Sequence, residues 1–347
     1  MRGKINIDTG TIVLISVADN TYYQQKGVMS TAILNGEFSF TDSAIYPAPY
    51  RLGSRLNSQW QYLSDIFYID PCEQQIYCKS DSITDIPLIL NKSMKEWESL
   101  KKYTREVDLE FDINDDKRDS LNKIYNHNLP YNFLNDLQSK EEYLENRKHR
   151  LLIEYAKHHP NSYVLLWQII LKLSKGYKPY MDSTFNQLSY SVKHSLVGRA
   201  YRERADDAKK LSIGKIFPLI SLENMAGTKV RFPPVNVHSK YTLIDFWFSG
   251  CSPCKRQFPL YKKLYEQHQR TDFEILGISV DNEQQLAEWK KVIQDQLLTW
   301  PQYLDKDGII ANRFSIITFP TNFLLDKNGV IIMENIKPGE LEKILSQ

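Results

Sequence analysis

The sequence is poor in cysteine, in long apolar runs and in excess charge of one sign. Four cysteines in 347 residues are too few for the disulfide framework of a small secreted protein. Lysine and arginine total 44 against 42 aspartates and glutamates, a net charge of +2. Because nucleic acids and anionic lipids attract clustered positive charge, this balance predicts no nucleic-acid partner and no broad lipid-binding surface.

No apolar run approaches the roughly 20 residues that a bilayer-spanning helix needs. The nearest candidate, 164–171, is short and contains a glutamine. The start of the chain also lacks the charged, apolar and small-residue regions of a secretory signal. The sequence predicts no direct transmembrane segment, and a chain that is either cytoplasmic or exported by a signal that was removed or omitted.

The remaining composition is that of a folded protein with several domains. Hydrophobic residues make up 42% and charged residues 25%, as in soluble globular proteins. The length suggests two or three domains. Because the residue pattern changes near 90 and again near 210, we predict a small β-rich domain over 1–90, a helical segment over 91–210 and an α/β domain over 211–347.

The first segment has the pattern of an all-β domain. Short runs rich in Val, Ile, Tyr, Phe and Thr are separated by Gly, Asn, Asp and Pro, which indicates antiparallel strands joined by tight turns. The predicted strands include 11–17, 32–35, 37–40 and 66–69. We predict that they form a sandwich-like domain.

Cys72 and Cys78 lie in a strand-and-turn context within this segment. They could bridge across a bent hairpin or remain free thiols, depending on the distance between their Cα atoms. A bridge would indicate an oxidising compartment. The sequence leaves both alternatives open.

The second segment has helical periodicity. Ser93 with Glu96, and Ser139 with Glu142, fit capping boxes that would start two helices. The second of these helices should end before Pro160. Two further helices are predicted, over 163–173 and 184–209. An interior glycine at position 198 weakens the prediction for the last helix, and the segment contains no catalytic constellation.

Beyond residue 211, strands and helices alternate. A hairpin strand at 229–232 precedes 243–248, an almost wholly apolar run typical of a strand buried on both faces. The following predicted helices are 253–269, 283–296 and 309–314, and the following predicted strands are 273–280, 301–304, 321–325 and 330–333. The Asp-Lys-Asn-Gly sequence at 326–329 favours a hairpin turn. This order predicts an α/β fold.

Cys251 and Cys254 form a Cys-x-x-Cys motif where the apolar strand gives way to a helix. The amides and the macrodipole at a helix N-terminus favour negative charge, so Cys251 should ionise more readily than a free thiol. The two sulfurs are about one helical turn apart and can join as a disulfide. We predict Cys251 as the exposed attacking thiol and Cys254 as the buried resolving thiol, with Ser252 and Pro253 tuning their redox potential.

The same motif could be half of a zinc site. Zinc would need two more ligands, but the sequence has no second Cys-x-x-Cys and no histidine in a suitable pattern. We therefore predict neither a metal nor another cofactor.

Asp245 is the candidate proton acceptor for this pair. It lies inside the apolar strand that precedes Cys251. Burial would raise its pKa and suit it to take and return the proton of Cys254. The alternative is a carboxylate at a strand end that reaches solvent or a backbone partner.

Two further features accompany the Cys-x-x-Cys motif, namely Asp245-Phe-Trp247 before the cysteines and Pro320-Thr321 later in the chain. Together with the motif, they resemble the thioredoxin superfamily. The resemblance implies that Pro320 is cis, lies against the Cys251 sulfur and lets the Phe319 backbone pair with an extended substrate. It also implies substrate contacts from Trp247, Ser252 and Pro253.

Within the superfamily, residues 212–347 are most similar to TlpA/ResA-like thiol-disulfide oxidoreductases. The motifs are 213–218 ahead of a Gly227 turn, Phe246-Trp247, Phe258-Pro259 and the 326–331 hairpin. The order of a β-domain, a helical segment and a thioredoxin domain also resembles multidomain envelope proteins of Gram-negative bacteria. The resemblance implies a location in the cell envelope, facing the periplasm.

One position departs from the ResA pattern. Several ResA-like proteins use a glutamate three residues after the second cysteine in proton handling, whereas this chain has Gln257. Glutamine forms hydrogen bonds but cannot carry a proton at neutral pH. The proton route should therefore resemble that of thioredoxin itself, through Asp245.

Peroxidase chemistry is a nearby alternative because peroxiredoxins share the fold. Their reactive cysteine follows a Pro-x-x-x-Thr-x-x-Cys pattern, and the residues before Cys251 lack that proline and threonine. The sequence therefore favours disulfide exchange.

The sequence thus predicts a protein thiol-disulfide oxidoreductase, with the reducing direction favoured by the resemblance. Its expected partners are protein substrates with disulfides or thiols and an upstream electron donor. The alternative is an envelope binding, assembly or redox-sensing protein in which residues 1–210 capture a partner with little turnover.

Overall fold

The structure is a computed structural model of the chain. It describes residues 1–17, 20–21, 24–25, 27–41, 45–56, 59–78, 87–125, 130–233, 239–268 and 273–346. The chain forms two compact units. Unit 1 comprises Met1–Asn20, Gln25–Leu171 and Lys178–Gly198, and unit 2 comprises Thr21–Gln24, Lys172–Tyr177 and Arg199–Gln347. The division into three domains at 1–90, 91–210 and 211–347 stays a prediction.

The first ninety residues are rich in β-structure, as predicted. The strands are β1 (Arg2–Lys4), β2 (Thr9–Ser16), β3 (Asn20–Thr21), β4 (Gln24–Gln25), β5 (Val28–Leu34), β6 (Glu37–Ser39), β7 (Ala48–Leu56), β8 (Gln59–Leu63), β9 (Phe67–Ile69), β10 (Gln75–Tyr77) and β11 (Leu88–Ile89). Nine of them form one sheet in the order β11-β10-β1-β6-β5-β2-β7-β8, with β9 beside β7. The pairs in this sheet are antiparallel except β1 with β10. The sandwich-like arrangement stays a prediction.

A helical region follows, again as predicted. The helices are α1 (Lys92–Ile124), α2 (Tyr131–His158), α3 (Tyr163–Leu173), α4 (Pro179–Gln187), α5 (Tyr190–Lys193) and α6 (Leu196–Ala208). The end of α2 before Pro160 and the bounds of α3 are confirmed. Within the described residues, no helix combines the length and apolar character needed to cross a membrane.

Both predicted capping boxes are wrong. Asn91 caps α1, because its side chain accepts the Met94 amide at 2.7 Å. The Ser93 hydroxyl donates instead to Asp70, a residue that precedes it by more than twenty positions. Ser139 lies inside α2 and caps nothing. Sequence spacing could not anticipate the contact with Asp70, which depends on tertiary structure.

The single helix predicted over 184–209 is also wrong, because α4, α5 and α6 occupy this stretch. The Ser189 side chain caps α5. The Ser195 hydroxyl accepts the Gly198 amide at 3.0 Å at the start of α6. A Cβ added at Gly198 would lie 2.3 Å from the Val192 carbonyl oxygen, so glycine permits the close approach of α6 to α5. These serine caps break the helix.

Unit 2 has the predicted α/β architecture. Its strands are β12 (Ile220–Asn224), β13 (Lys229–Phe232), β14 (Tyr241–Trp247), β15 (Phe273–Ser279), β16 (Gln302–Leu304), β17 (Thr321–Asp326) and β18 (Ile331–Glu334). Its remaining helices are α7 (Ser252–His268), α8 (Leu286–Asp295), α9 (Ile309–Arg313) and α10 (Pro338–Leu345). The strand order is β13-β12-β16-β15-β14-β17-β18. The terminal β17–β18 hairpin is confirmed, whereas α10 was not predicted and Gln269 lies outside the described residues.

The central strand, β14, contains Asp245 and leads to the Cys-x-x-Cys motif at the start of α7. It runs parallel to β15 and antiparallel to β17. Its residues from Thr242 to Trp247 are buried, as the apolar run predicted. Helix α7 covers one face of the sheet with a stripe of buried side chains at helical spacing, namely Cys254, Phe258, Tyr261, Leu264 and Tyr265.

Candidate active site

The two cysteines of the motif form a disulfide at the start of α7, as predicted. Cys251 immediately precedes the helix, Cys254 lies in its first turn, and their Cα atoms are 5.3 Å apart. The Cys254 amide donates a hydrogen bond to the Cys251 Sγ at 3.1 Å. An amide in this position can stabilise a thiolate on Cys251 when the disulfide opens.

The expected exposure of Cys251 is wrong. Cys251 is 2% exposed and Cys254 is 1% exposed, so both half-cystines are buried in the oxidised chain. Ser252 and Pro253, between them, are exposed and mark where the motif meets solvent. The sequence could not reveal this burial, because it depends on residues outside the motif.

The segment before the cysteines lies beside a cis proline. The Phe319–Pro320 peptide is cis, which confirms the expectation from the resemblance. Strand β17 begins directly after this peptide, and Thr321 pairs with Phe246 near the end of β14. The Phe248 and Phe319 rings meet edge-on at 5.5 Å between centroids. The fold therefore brings the cysteine-bearing segment and the cis-proline segment together, while a contact between Pro320 and the Cys251 sulfur stays a prediction.

Trp247 serves packing beneath α7. Its side chain is 1% exposed, and its indole meets the Phe258 ring edge-on at 5.3 Å. The indole N–H donates to Gln302 Oε1 at 3.2 Å. This position argues against the substrate contact that the resemblance implied for Trp247.

Asp245 is enclosed in the sheet. Its side chain is 2% exposed, and its Oδ1 has no hydrogen-bond partner among the described residues. Burial raises the pKa of Asp245 to about 8. This burial excludes a strand-end carboxylate that reaches solvent and agrees with the raised pKa expected from the sequence, while the role of Asp245 as proton acceptor stays a prediction.

Tyr261 and Asn322 connect α7 to the surroundings of Asp245. The Tyr261 hydroxyl donates to Gln257 Oε1 at 3.1 Å and accepts a hydrogen bond from Asn322 Nδ2 at 3.2 Å. Burial, together with the nearby Asp245, raises the pKa of Tyr261 well above its ordinary value. Because Tyr261 lies two turns beyond Cys254 on the same helix face, Asp245 lies beneath the face of α7 that carries Cys254.

Asp281 is a site residue that sequence reasoning missed. It follows β15, is 0% exposed, and accepts hydrogen bonds from the Ser249 amide at 2.9 Å and the Ser249 hydroxyl at 2.7 Å. The Ser279 hydroxyl donates to the same carboxylate. Asp281 therefore fixes the segment that leads from β14 to Cys251. The available signal was an acidic residue directly after an apolar strand.

Replacing Asp281 by alanine should weaken both the fold and the reactivity of the motif. The change leaves buried donors of Ser249 and Ser279 unpaired, a loss of about 3–5 kcal/mol in the free energy of unfolding. We also expect slower alkylation of Cys251 in the reduced protein, because Ser249 would no longer be held. Urea denaturation and mass-resolved alkylation measure the two effects.

A matched control for this change is Asp305→Ala. Asp305 is 3% exposed, and its carboxylate accepts the amides of Ile310 and Ala311 in α9. This variant should lose stability without changing the alkylation rate of Cys251. Equal alkylation rates in Asp281→Ala and the wild type would contradict the positioning role of Asp281.

The other two cysteines are free thiols in the structure. Cys72 is exposed and Cys78 is partly buried. Burial raises the pKa of Cys78 to about 11. The question that the sequence left open is thus answered against a bridge. Among the described residues, no three side chains of His, Cys, Asp or Glu cluster in a way that could hold a metal ion.

Comparison with known proteins places these features in a family. Residues 213–333 match the family described as AhpC/TSA. Thiol-disulfide oxidoreductase ResA of Bacillus thuringiensis subsp. konkukian is 30% identical over 126 residues, which cover 36% of this chain and 70% of that protein. Sporulation thiol-disulfide oxidoreductase A of Bacillus subtilis is 33% identical over 104 residues, covering 30% of this chain and 63% of that protein.

A solved thioredoxin domain of a thiol-disulfide oxidoreductase from Bacteroides vulgatus has 29% sequence identity and a TM-score of 0.35, covering 39% of this chain and 96% of that domain. The identity to ResA over most of its length agrees with the thioredoxin-like fold of unit 2 and with the disulfide at the start of α7. The chain therefore belongs to the ResA-like thiol-disulfide oxidoreductases of the thioredoxin superfamily.

Proposed function

We propose that this enzyme reduces disulfide bonds of protein substrates through Cys251 and Cys254. The observation that carries the proposal is the disulfide at the start of α7, with the Cys254 amide directed at the Cys251 sulfur. In the reduced enzyme, this amide and the helix N-terminus favour a thiolate on Cys251. The thiolate attacks one sulfur of a substrate disulfide, forms a mixed disulfide and releases a substrate thiolate, which takes up a proton.

Cys254 completes the reaction. In the fraction of molecules in which Asp245 is ionised, its carboxylate takes the proton from the Cys254 thiol, and the resulting thiolate attacks the Cys251 sulfur of the mixed disulfide. The second substrate thiolate leaves and takes up a proton, and the enzyme returns to the disulfide state. The two cysteines lose two electrons, and the substrate disulfide gains two.

Substrate would bind along the exposed edge of this site. Ser252 and Pro253 are exposed beside the disulfide, and Phe319 and Pro320 are partly buried next to the preceding segment. An extended substrate segment could pair with the Phe319 backbone, where the chain turns through the cis peptide. This arrangement favours an unfolded or loop region of a protein as the substrate.

Turnover in the reducing direction requires an upstream electron donor that returns the disulfide to two thiols. The resemblance to envelope proteins supports a site of action in the cell envelope, facing the periplasm, with the cytoplasm as the alternative. Fractionation of the native cells followed by N-terminal sequencing of the protein distinguishes the two locations. An envelope protein with a processed N-terminus is expected, and recovery only in the cytoplasm would contradict this location.

Insulin reduction by dithiothreitol tests the proposed function. The wild-type chain should accelerate the precipitation of insulin chains, whereas a variant with both Cys251→Ser and Cys254→Ser should match the uncatalysed rate. The reducing direction further predicts a midpoint potential nearer to about −270 mV than to about −120 mV. Absence of turnover by the wild type would contradict the enzyme proposal and favour a binding or redox-sensing role.

A further inference from the structure

Four residues form one row across the sheet around Asp245. Asn322 on β17 pairs with Asp245, Asp245 pairs with Gly277 on β15, and Gly277 pairs with Gln302 on β16. Directly paired residues of neighbouring strands point to the same face of a sheet. The Asn322 side chain bonds to Tyr261 on α7, so this row lies on the face that α7 covers.

Gly277 leaves space for the Gln302 side chain to extend towards Asp245. A Cβ added at Gly277 would lie 2.3 Å from Gln302 Oε1 and 2.9 Å from Gln302 Nε2. The Gln302 amide thus occupies the volume that a side chain at position 277 would fill. Adjacent strands are about 4.8 Å apart, so the amide lies about one strand spacing from Asp245.

The row contains unpaired polar atoms of complementary kinds. Asp245 Oδ1, Gln302 Nε2 and Asn322 Oδ1 are buried and have no hydrogen-bond partner among the described residues. The opposite ends of both amides are held, because Gln302 Oε1 accepts from Trp247 and Asn322 Nδ2 donates to Tyr261. Asp245 therefore lies between an unpaired donor on one side and an unpaired acceptor on the other.

We propose that Gln302 and Asn322 are positioning residues that set the proton affinity of Asp245 from opposite sides. Gln302 Nε2 donates to the carboxylate when Asp245 is ionised. The carboxylic acid donates to Asn322 Oδ1 when Asp245 is protonated. Each state then satisfies one of the unpaired amide atoms, which would otherwise remain without a partner in a buried site.

This inference rests on the proposed function, because a proton acceptor for Cys254 must occupy both states in each cycle. The proton leaves the Cys254 sulfur, resides on Asp245 and is then passed on to a leaving substrate thiolate or to solvent. Of the groups around Asp245 in the oxidised chain, Tyr261 on α7 is titratable and Cys254 on α7 is held in the disulfide and does not titrate, whereas Gly277 on β15 and Asn322 on β17 are uncharged. The side-chain amides of Gln302 and Asn322 are therefore the polar groups best placed to set the proton affinity of Asp245.

Carbon-13 NMR of the oxidised full-length chain tests the proposal without turnover. The Asp245 carboxyl signal is assigned by its loss in Asp245→Asn and followed from pH 5 to 10. Asn322→Leu should lower the apparent pKa by about one unit, because the acid form loses its acceptor. Gln302→Leu should raise it by a similar amount, because the anion loses its donor.

Gly277→Ala provides a second variant for the Gln302 side. Its methyl group would displace the amide, so the apparent pKa should rise even if Gln302→Leu fails to fold. Tyr265→Phe is the matched control, because this hydroxyl lies on the same helix face and bonds to Glu274 instead. It should leave the titration unchanged.

Shifts of the same sign at Asn322 and Gln302, or shifts no larger than that of the control, would overturn the inference. The titration uses the oxidised protein, so its result is independent of insulin reduction. If the wild type does not reduce insulin but the two variants shift the pKa of Asp245 in opposite directions, the proposed function is rejected and the roles of Gln302 and Asn322 stand. If the wild type reduces insulin but the variants do not shift this pKa in opposite directions, only the roles of Gln302 and Asn322 are rejected.

Discussion

Replacing Asp245 by asparagine is expected to stabilise the folded protein at neutral pH. Burial raises the pKa of Asp245 to about 8 in the folded chain, against about 3.9 for an unfolded one. Between these values the unfolded chain is ionised while the folded chain keeps its proton, so the unfolded state binds fewer protons. The stability of the wild type therefore falls as pH rises through this window, by about 1.4 kcal/mol per pH unit, and levels off above pH ~8.

Because asparagine cannot ionise, the Asp245→Asn variant does not lose stability in this way as the pH rises. At pH ~7 the variant should be more stable by on the order of 4 kcal/mol, a rise of roughly 10 °C in the Tm of unit 2. Thermal unfolding at several pH values between about 4 and 9 measures the difference. A difference between variant and wild type that does not change with pH would contradict a buried, protonated Asp245.

Asp305→Asn is a matched control for this experiment. Burial raises the pKa of Asp305 to about 6. The pH-dependent effect of Asp305 on the stability of the folded protein should therefore level off near pH ~6, about two pH units below the effect of Asp245. The two variants separate a general effect of removing a buried carboxyl from the specific titration of Asp245.

The same Asp245→Asn change should slow disulfide reduction despite the gain in stability. Without a proton acceptor, resolution by Cys254 should fall by about 10²-fold at pH ~8, where much of the wild-type Asp245 is ionised, since general-base catalysis contributes about that much. Insulin reduction and rapid-quench measurement of the mixed disulfide report the step that slows. A more stable variant with full activity would show that Asp245 has no role in proton transfer.

Replacing Cys251 by serine is expected to have the largest effect on activity. A serine hydroxyl is not ionised at neutral pH and cannot form the mixed disulfide, so insulin reduction should fall by at least about 10³-fold. Cys72→Ser is the matched control, because Cys72 is an exposed free thiol in unit 1. Loss of activity in the control, or its retention in Cys251→Ser, would contradict the assignment of Cys251.

Local chemistry in the sequence predicted the centre of the site. Two cysteines one turn apart at a strand-to-helix junction indicate a redox pair, and the buried run around Asp245 indicates a raised pKa. These properties depend on residues close together in the chain. The cis state of Pro320 came from family resemblance, because spacing alone does not distinguish it from an ordinary strand-start proline.

The parts that the sequence did not reveal depend on contacts between distant residues. Asp281, which follows β15, accepts a hydrogen bond from Ser249, which follows the neighbouring strand β14. Gln302 lies in the same row as Asp245 because β14, β15 and β16 pair in one register. A shift of one residue would turn Gln302 to the other face. The prediction that Ser93 caps a helix was wrong for the same reason, because the Ser93 hydroxyl donates instead to Asp70, which follows β9.

The most direct test of the account is to trap the mixed disulfide in Cys254→Ser. Cys72 and Cys78 are replaced by serine in this experiment, so that Cys251 is the remaining thiol, and the protein is incubated with a peptide dimer joined by one disulfide. Intact mass spectrometry should show one peptide attached to Cys251, released by dithiothreitol and absent from the same protein with Cys251→Ser. A folded Cys254→Ser protein that gains no peptide would contradict attack by Cys251 and resolution by Cys254.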